Sequence, residues 1–198
     1  MSKGTPDSRK LQKLFDNLLE EIRSLQGFEN FLQVPSEIYL RLLAAGGPIV
    51  VFNISDIRSD AFLITAGEIR SVHLPLLTWD GLRNLALSFF EALDKNHPSQ
   101  YRIGIRKMNQ VLEGLWNCGV KSILDELGFT QPPPPGQPWP RVLWVGTGLL
   151  SILPIHAAGD HDSNPPQTVL DRVVSSYAFT MKSLSYAKER AAKADQGG

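Results

Sequence analysis

The sequence predicts an α/β fold, in which a sheet with flanking helices follows an N-terminal helix and a β-meander. Short runs of β-branched and apolar residues are typical of buried strands, and longer segments with an apolar residue every three or four positions are typical of amphipathic helices. Hydrophobic residues make up 42% of the 198 residues, which supports a packed core and argues against disorder.

The first element is an amphipathic helix. Thr5-Pro6 is a favourable start, because a capping hydroxyl precedes a proline at the first helical position, and Gly27 predicts the end. Its apolar positions are Leu11, Leu14, Phe15, Leu18, Leu19, Ile22 and Leu25. This face could dock on the chain's own sheet or on a partner helix, and docking on its own domain is the commoner case.

Three strands and two helices follow. We predict the three strands of the β-meander at 49–54, 61–65 and 69–74. The next helix is expected to begin at Thr78, whose hydroxyl can cap it. A polar loop at 95–100 leads to a longer helix, which carries apolar positions from Met108 to Leu127 and a capping glycine, Gly128.

A proline-rich segment at 132–140 predicts a stiff connector, although it could also bind a proline-recognition domain. After it, we predict strands at 141–145 and 170–177, separated by a polar surface loop at 159–167. A helix is predicted at 181–192.

Four regions result. We expect an N-terminal helix and linker at 1–46, a β-meander plus two helices at 47–131, the first core strands and a helix at 132–190, and a flexible tail at 191–198.

The composition indicates which binding partners and which cellular compartment to expect. Twenty basic residues offset twenty acidic ones, so nothing draws the chain generally to nucleic acid or to an anionic membrane. The lone cysteine, Cys118, excludes an internal disulfide and a four-cysteine zinc site and suits a reducing compartment. Residues 1–10 are polar and predict no signal peptide. We expect a soluble, cytoplasmic protein without nucleic-acid or membrane partners.

Two motifs suggest chemistry but fit it poorly. Gly146-Thr147-Gly148 follows a strand, yet Ser151 occupies the position where a dinucleotide fingerprint needs a third glycine, so a simple turn is the better interpretation. Ser151 and His156, with Asp160 or Asp162, could form a hydrolase triad, but no Gly-x-Ser-x-Gly elbow is present. Since His156 lies in an apolar run, we expect it to be buried and hydrogen-bonded.

The remaining titratable groups predict no metal, cofactor or nucleophile. His156, Asp160, His161 and Asp162 match no common zinc or calcium spacing. Cys118 shares a helix face with Val111 and Leu115, so we expect it to pack in the core as a small hydrophobic side chain. We assign no catalytic, cofactor-binding or metal-binding residue and expect no cofactor.

Several segments together resemble the CHAT domain, a caspase-like module, and in particular fungal proteins that carry it behind tetratricopeptide repeats. The segments are RVLWV at 141–145, GLLSILPIHAAG at 148–159, TVLDRVVSSY at 168–177, GPIVVFNIS at 47–55, RSDAF at 58–62 and LLEEIR at 18–23 with Gly27-Phe28. The sequence departs from the family at Gly146, Leu149 and Phe179, where related proteins tend to have proline.

The resemblance implies an incomplete caspase-like sheet. Complete members carry a catalytic histidine in a His-Gly segment and a cysteine in a later Ser-Ala-Cys-like segment, and neither motif occurs in these 198 residues. We therefore expect a truncated, non-catalytic CHAT-domain protein that acts through contact with a protein partner or with the missing C-terminal half of the domain.

Two alternatives are a hydrolase that uses Ser151 and His156, and half of a cysteine peptidase that a missing segment completes. We also expect self-association, because residues 142–145 would keep one unpaired strand edge.

Overall fold

The computed structural model describes residues 8–29, 31–93 and 101–195, and it confirms an α/β protein with a mixed five-stranded sheet flanked by helices. This arrangement is consistent with an incomplete caspase-like fold. The helices are α1 (Ser8–Arg23), α2 (Glu37–Leu43), α3 (Trp79–Leu93), α4 (Tyr101–Leu115), α5 (Lys121–Glu126) and α6 (Met181–Asp195). The strands are β1 (Ile49–Ile54), β2 (Ser59–Ile64), β3 (Ile69–His73), β4 (Arg141–Val145), β5 (Gly159–Asp160), β6 (Gln167–Thr168) and β7 (Val174–Tyr177).

The chain divides into two units after Ser36, ten residues before the predicted boundary at 46. The first unit contains α1, which ends at Arg23 rather than near Gly27. A turn follows, in which the Arg23 Nε donates to the Phe31 carbonyl at 2.9 Å and the Phe28 and Phe31 rings meet edge to face. The predicted helix start at Thr5-Pro6 lies outside the described residues.

The second unit holds the sheet, whose strand order is β3-β2-β1-β4-β7. β1, β2 and β3 are antiparallel neighbours, which confirms the β-meander. β4 is parallel to β1, and β7 is parallel to β4. A parallel neighbour requires a crossover, and the segment containing α3, α4 and α5 provides it.

The prediction of an open edge along 142–145 is wrong. β4 has a neighbour on each side, because the chain returns after the β5–β6 hairpin and places β7 along the second edge of β4. The Val174 N–H donates to the Pro140 carbonyl at 2.8 Å, and the Ala178 N–H donates to the Trp144 carbonyl at 3.0 Å. The free edge on this side of the sheet is therefore that of β7.

Each face of the sheet buries a separate core. On one face, Val50, Phe52, Ala61, Leu63, Val142 and Trp144 pack with residues of α3, α4 and α5 that include Leu82, Ala86, Val111, Leu115, Ile123 and Leu124. On the other face, Ile49, Ile64 and Val145 form a smaller cluster with Leu43, Ala44 and Leu184 from the α2 and α6 regions. The result is a sheet between two helical layers.

Trp144 links three strands. It is fully buried in β4, its ring stacks on Phe52 of β1 with centroids 6.2 Å apart, and its indole N–H donates to the Ser175 hydroxyl of β7 at 2.9 Å. A buried indole needs such a polar partner. This side chain therefore adds a side-chain hydrogen bond to the backbone ladder that holds β7 against β4.

The helix ends follow the predicted caps, with two changes. The Thr78 hydroxyl accepts the Gly81 N–H at 3.1 Å, and Gly128 has a φ of +81° after α5. The single long helix predicted to end at Leu127 is interrupted by a kinked segment, Trp116–Val120. The last helix runs to Asp195 and so extends past the start of the tail predicted at 191. The loop predicted at 95–100 lies outside the described residues.

Gly47, just before β1, has a close backbone contact that forbids a side chain. Its φ is +142°, and a Cβ built there would lie 2.4 Å from the Arg141 carbonyl oxygen at the start of β4. We expect Gly47→Ala to lower the free energy of unfolding by about 2 kcal/mol or more, since it combines backbone strain with a steric clash. Urea denaturation followed by circular dichroism measures this.

The adjacent Gly46→Ala is the matched control, because a Cβ at Gly46 meets nothing within 4 Å. Equal urea midpoints for the two variants would show that the β1–β4 contact does not restrict position 47.

Candidate functional site

The glycine-containing loop after β4 is a structural turn, as the sequence indicated. The Thr147 hydroxyl donates to the Phe52 carbonyl at 3.1 Å and so ties the loop to β1. Gly148 has a φ of +53° and begins a 3₁₀ turn, Gly148–Ile152. The loop is thus held in place by protein groups.

The structure gives Ser151 and His156 different hydrogen-bond partners. The Ser151 hydroxyl donates to the Gly148 carbonyl at 2.7 Å, whereas His156 is bonded to Tyr177. His156 is exposed, so the prediction that it is buried is wrong. The apolar run forms a 3₁₀ turn that buries Ile155 and turns the next side chain outward.

The polar loop between β5 and β6 uses its side chains to fold the turn. An Asp160 carboxylate oxygen accepts the backbone N–H groups of Asp162 at 3.1 Å and Ser163 at 3.0 Å. The His161 Nε2 lies 2.8 Å from the Ala157 carbonyl oxygen and therefore donates to it. In the described part of the chain, no group of three or more His, Cys, Asp or Glu side chains could hold a metal ion.

Cys118 lies in the kinked segment between α4 and α5 and packs against the larger core, as predicted. Burial raises the pKa of its thiol to about 11. The Sγ is 3.5 Å from the Leu115 carbonyl oxygen, to which the thiol donates. A thiol in this setting is a poor nucleophile at neutral pH.

The open side of β7 is the strongest candidate for a binding site. The amides of Val174 and Ala178 point toward β4. Since backbone groups alternate along a strand, the N–H and C=O of Ser175 and Tyr177 point the other way, toward the free edge. No other strand of the described residues pairs with this side of β7.

An uncharged groove of about 670 Å³ lies beside this edge. Its lining residues are Trp139, His156, Leu170, Val173, Val174, Ser175 and Tyr177. Two of its large apolar side chains are about half exposed, Leu170 at 54% and Trp139 at 48%. The groove thus combines exposed apolar surface with exposed backbone.

Tyr177 and His156 form a fixed corner of the groove. The Tyr177 hydroxyl accepts the backbone N–H of His156 at 2.8 Å and lies 2.9 Å from its Nδ1, while the two rings meet edge to face. Burial raises the pKa of the Tyr177 phenol, and the N–H bond from His156 partly offsets that effect. The phenol is therefore neutral near pH 7, so it can donate to an unprotonated Nδ1.

The opposite edge of the sheet, at β3, has a different character. Arg70 of β3 makes an ion pair with Glu126, donates to the Glu126 carbonyl and lies 3.4 Å from Glu68. Charged side chains of this kind discourage strand addition. The β3 edge therefore carries charged side chains and the β7 edge does not, so the β7 edge is the better acceptor for an added strand.

No protein-family model matches the chain, and no curated protein shows significant similarity to it. In the part that the structure describes, no helix is both long enough and apolar enough to span a membrane.

We expect native Cys118 to react slowly with a thiol reagent at pH 8 and quickly in denaturant. With a pKa of about 11, only about one thiol in a thousand is ionised at that pH, and burial also blocks access. Mass spectrometry at timed intervals measures the modification. A Cys118→Ala, Ser151→Cys variant, which moves the thiol to an exposed position, is the fast-reacting control. Rapid labelling of the native wild-type chain would show that the site opens readily.

Proposed function

We propose that this chain is a non-catalytic protein-interaction unit that binds an extended protein segment along β7. The observation that supports this function is the free edge of β7, where outward backbone groups lie beside an uncharged apolar groove. Adding a strand to such an edge is a common mode of peptide recognition.

The backbone supplies the general part of the binding. Ser175 and Tyr177 each offer one N–H and one C=O, and each hydrogen bond formed contributes about 0.5–1.5 kcal/mol net. That is too little for stable binding by itself, because an ordered segment also loses conformational entropy. The groove must supply the remainder.

The groove defines the chemistry of the segment. Its lining contains no Asp, Glu, Lys or Arg, and Trp139, Leu170 and Tyr177 present apolar surface. Alternate side chains of an added strand face the same side of the sheet. The best fit is an uncharged segment with large apolar or aromatic residues at alternate positions.

The resemblance to the CHAT domain suggests the source of that segment. We propose that the described sheet corresponds to the N-terminal part of a CHAT domain and that a strand of the complementary half pairs with β7. The strands expected at 49–54 and 141–145 coincide with β1 and β4, and β7 forms the second half of the strand expected at 170–177. This agreement supports the proposal, as does the free edge of β7.

The positions of the candidate groups support the non-catalytic part of the proposal. Cys118 is buried with a raised pKa, the Ser151 hydroxyl is bonded to a carbonyl, and His156 contacts Tyr177. Each of these side chains has a structural role.

We expect no peptidase activity above that of a Cys118→Ala control when the purified chain is incubated with a broad peptide library. Mass spectrometry of the library detects cleavage. Cleavage that disappears in Cys118→Ala or in His156→Ala would contradict the proposal, and the second result would favour the hydrolase alternative.

We expect peptides selected from a random display library on the purified chain to carry alternating apolar residues and to protect specific amides. Binding should slow hydrogen exchange at Ser175 and Tyr177, which point outward, and change Val174 and Ala178 little, since these already bond to the β4 side. Exchange followed by nuclear magnetic resonance resolves these amides.

Leu170→Glu should weaken this binding at least tenfold, because it places a charge in the groove. Leu76→Glu is the matched control, since Leu76 is an exposed leucine outside the groove. Peptides that bind both variants equally, without protecting Ser175 or Tyr177, would show that β7 is not the acceptor.

A further inference from the structure

The imidazole ring of His156 has one nitrogen that is bonded within the protein and one that is not. Its Nδ1 lies 2.9 Å from the Tyr177 hydroxyl oxygen, whereas its Nε2 has no hydrogen-bond partner among the described residues. Both residues belong to the second unit of the chain and line the β7 groove. A segment that fills the groove therefore meets a ring nitrogen that is free to bond.

The Tyr177 hydroxyl determines which of the two nitrogens carries the hydrogen. Its oxygen accepts the backbone N–H of His156 at 2.8 Å, so its own O–H turns toward Nδ1. A neutral imidazole has one N–H and one bare nitrogen, and the nitrogen that accepts from the phenol is the bare one. The hydrogen is therefore on Nε2. A donating Nδ1–H would instead leave the phenol hydrogen without a partner in the described part of the chain.

The two ends of the groove differ in chemistry because of the strand register. β4 and β7 are parallel, so the first residue of β4 lies beside Val174 and Trp144 lies beside Tyr177. Trp139 comes just before β4 and therefore lies near the start of β7, whereas His156 lies at the Tyr177 end. The groove is apolar near the start of β7 and offers a hydrogen-bond donor near its end.

We propose that His156 selects a segment that carries the side-chain amide of Asn or Gln beside the end of β7. This inference rests on the proposed addition of a strand to β7 and specifies one residue of that strand. The side-chain carbonyl of the residue accepts from the Nε2–H of His156. A carboxylate fits less well, because no Lys or Arg lines the groove to offset its loss of hydration.

The geometry of a strand sets the position of this residue relative to the apolar ones. Tyr177 pairs with Trp144 of the larger core, so its side chain lies on that face of the sheet. Residues two apart in an added strand face the same side of the sheet. The acceptor beside Tyr177 is therefore two and four positions away from apolar residues that lie nearer to Trp139.

The position of the ring hydrogen can be measured without any ligand. Long-range proton–nitrogen correlation spectra at pH 8 distinguish a protonated ring nitrogen from a bare one, and we expect His156 to carry its hydrogen on Nε2. Tyr177→Phe removes the hydroxyl but keeps the ring, so the hydrogen should then be shared between the two nitrogens. Predominant protonation of Nδ1 in the wild-type chain would overturn the proposal.

The peptides selected on the purified chain test the partner. We expect them to carry Asn or Gln at one fixed position next to the alternating apolar residues. Changing Gln to Met, or Asn to Leu, removes the acceptor at similar size and should weaken binding about fivefold, as one net hydrogen bond would. His156→Phe keeps an aromatic ring but lacks the donor, so it should bind the amide and apolar forms equally.

The outcomes separate this inference from the proposed function. If the peptides slow exchange at Ser175 and Tyr177 but the amide and apolar forms bind the wild-type chain equally, strand addition stands and the role of His156 is overturned. A preference for the amide that persists in His156→Phe, or a Glu form that binds more tightly than the Gln form, has the same meaning. If no selected peptide protects these two amides, the proposed function fails and this inference fails with it.

Discussion

The burial of Trp144 is the interaction on which the arrangement of the sheet depends. Its ring stacks on β1 and its indole N–H bonds to Ser175 of β7, so one side chain joins the three parallel strands. Because this bond holds Ser175 toward β4, it also orients the backbone groups that face the free edge. The core and the candidate binding site are thus linked through a single residue.

The free edge also depends on the path of the chain after β7. Instead of turning along that edge, the chain enters α6, which packs with α2 on the second face of the sheet. Lys188 of α6 donates to the Leu43 carbonyl, and Tyr39 of α2 is hydrogen-bonded to Ser185. These contacts hold α6 on the face of the sheet, so Ser175 and Tyr177 remain accessible. The position of α6 therefore favours the interaction function proposed for β7.

The positions of the helices and strands could be predicted from the sequence better than the pairing of the strands. The apolar, β-branched run of β1 and the capping groups of Thr78 and Gly128 act locally, and the structure has them where they were expected. Strand pairing is non-local, which explains why the open edge was assigned to β4 rather than to β7. Val174–Tyr177 is short and half polar, so its pattern gave little sign of a sheet position.

In the candidate site, too, the features set by local sequence could be predicted and those set by distant contacts could not. That Ser151 lacks a catalytic setting could be inferred from the missing elbow, and Cys118 could be placed in the core from its helical register. The exposure of His156 could not, because it results from a 3₁₀ turn within an apolar run. The groove was also missed, since Trp139 and Tyr177 are far apart in sequence and meet only through the pairing of β4 with β7.

The strand order has a consequence for synthesis of the chain on the ribosome. The β-meander involves only nearby residues and can form early, but β1 pairs on its other side with β4, which joins residue 49 to residue 143. Until that later segment emerges, one edge of β1 stays bare, together with the apolar side chains of Val50 and Phe52. Long-range pairing of this kind folds slowly, and exposed strand edges promote aggregation. A nascent chain at this stage is a natural client for a chaperone that shields apolar segments.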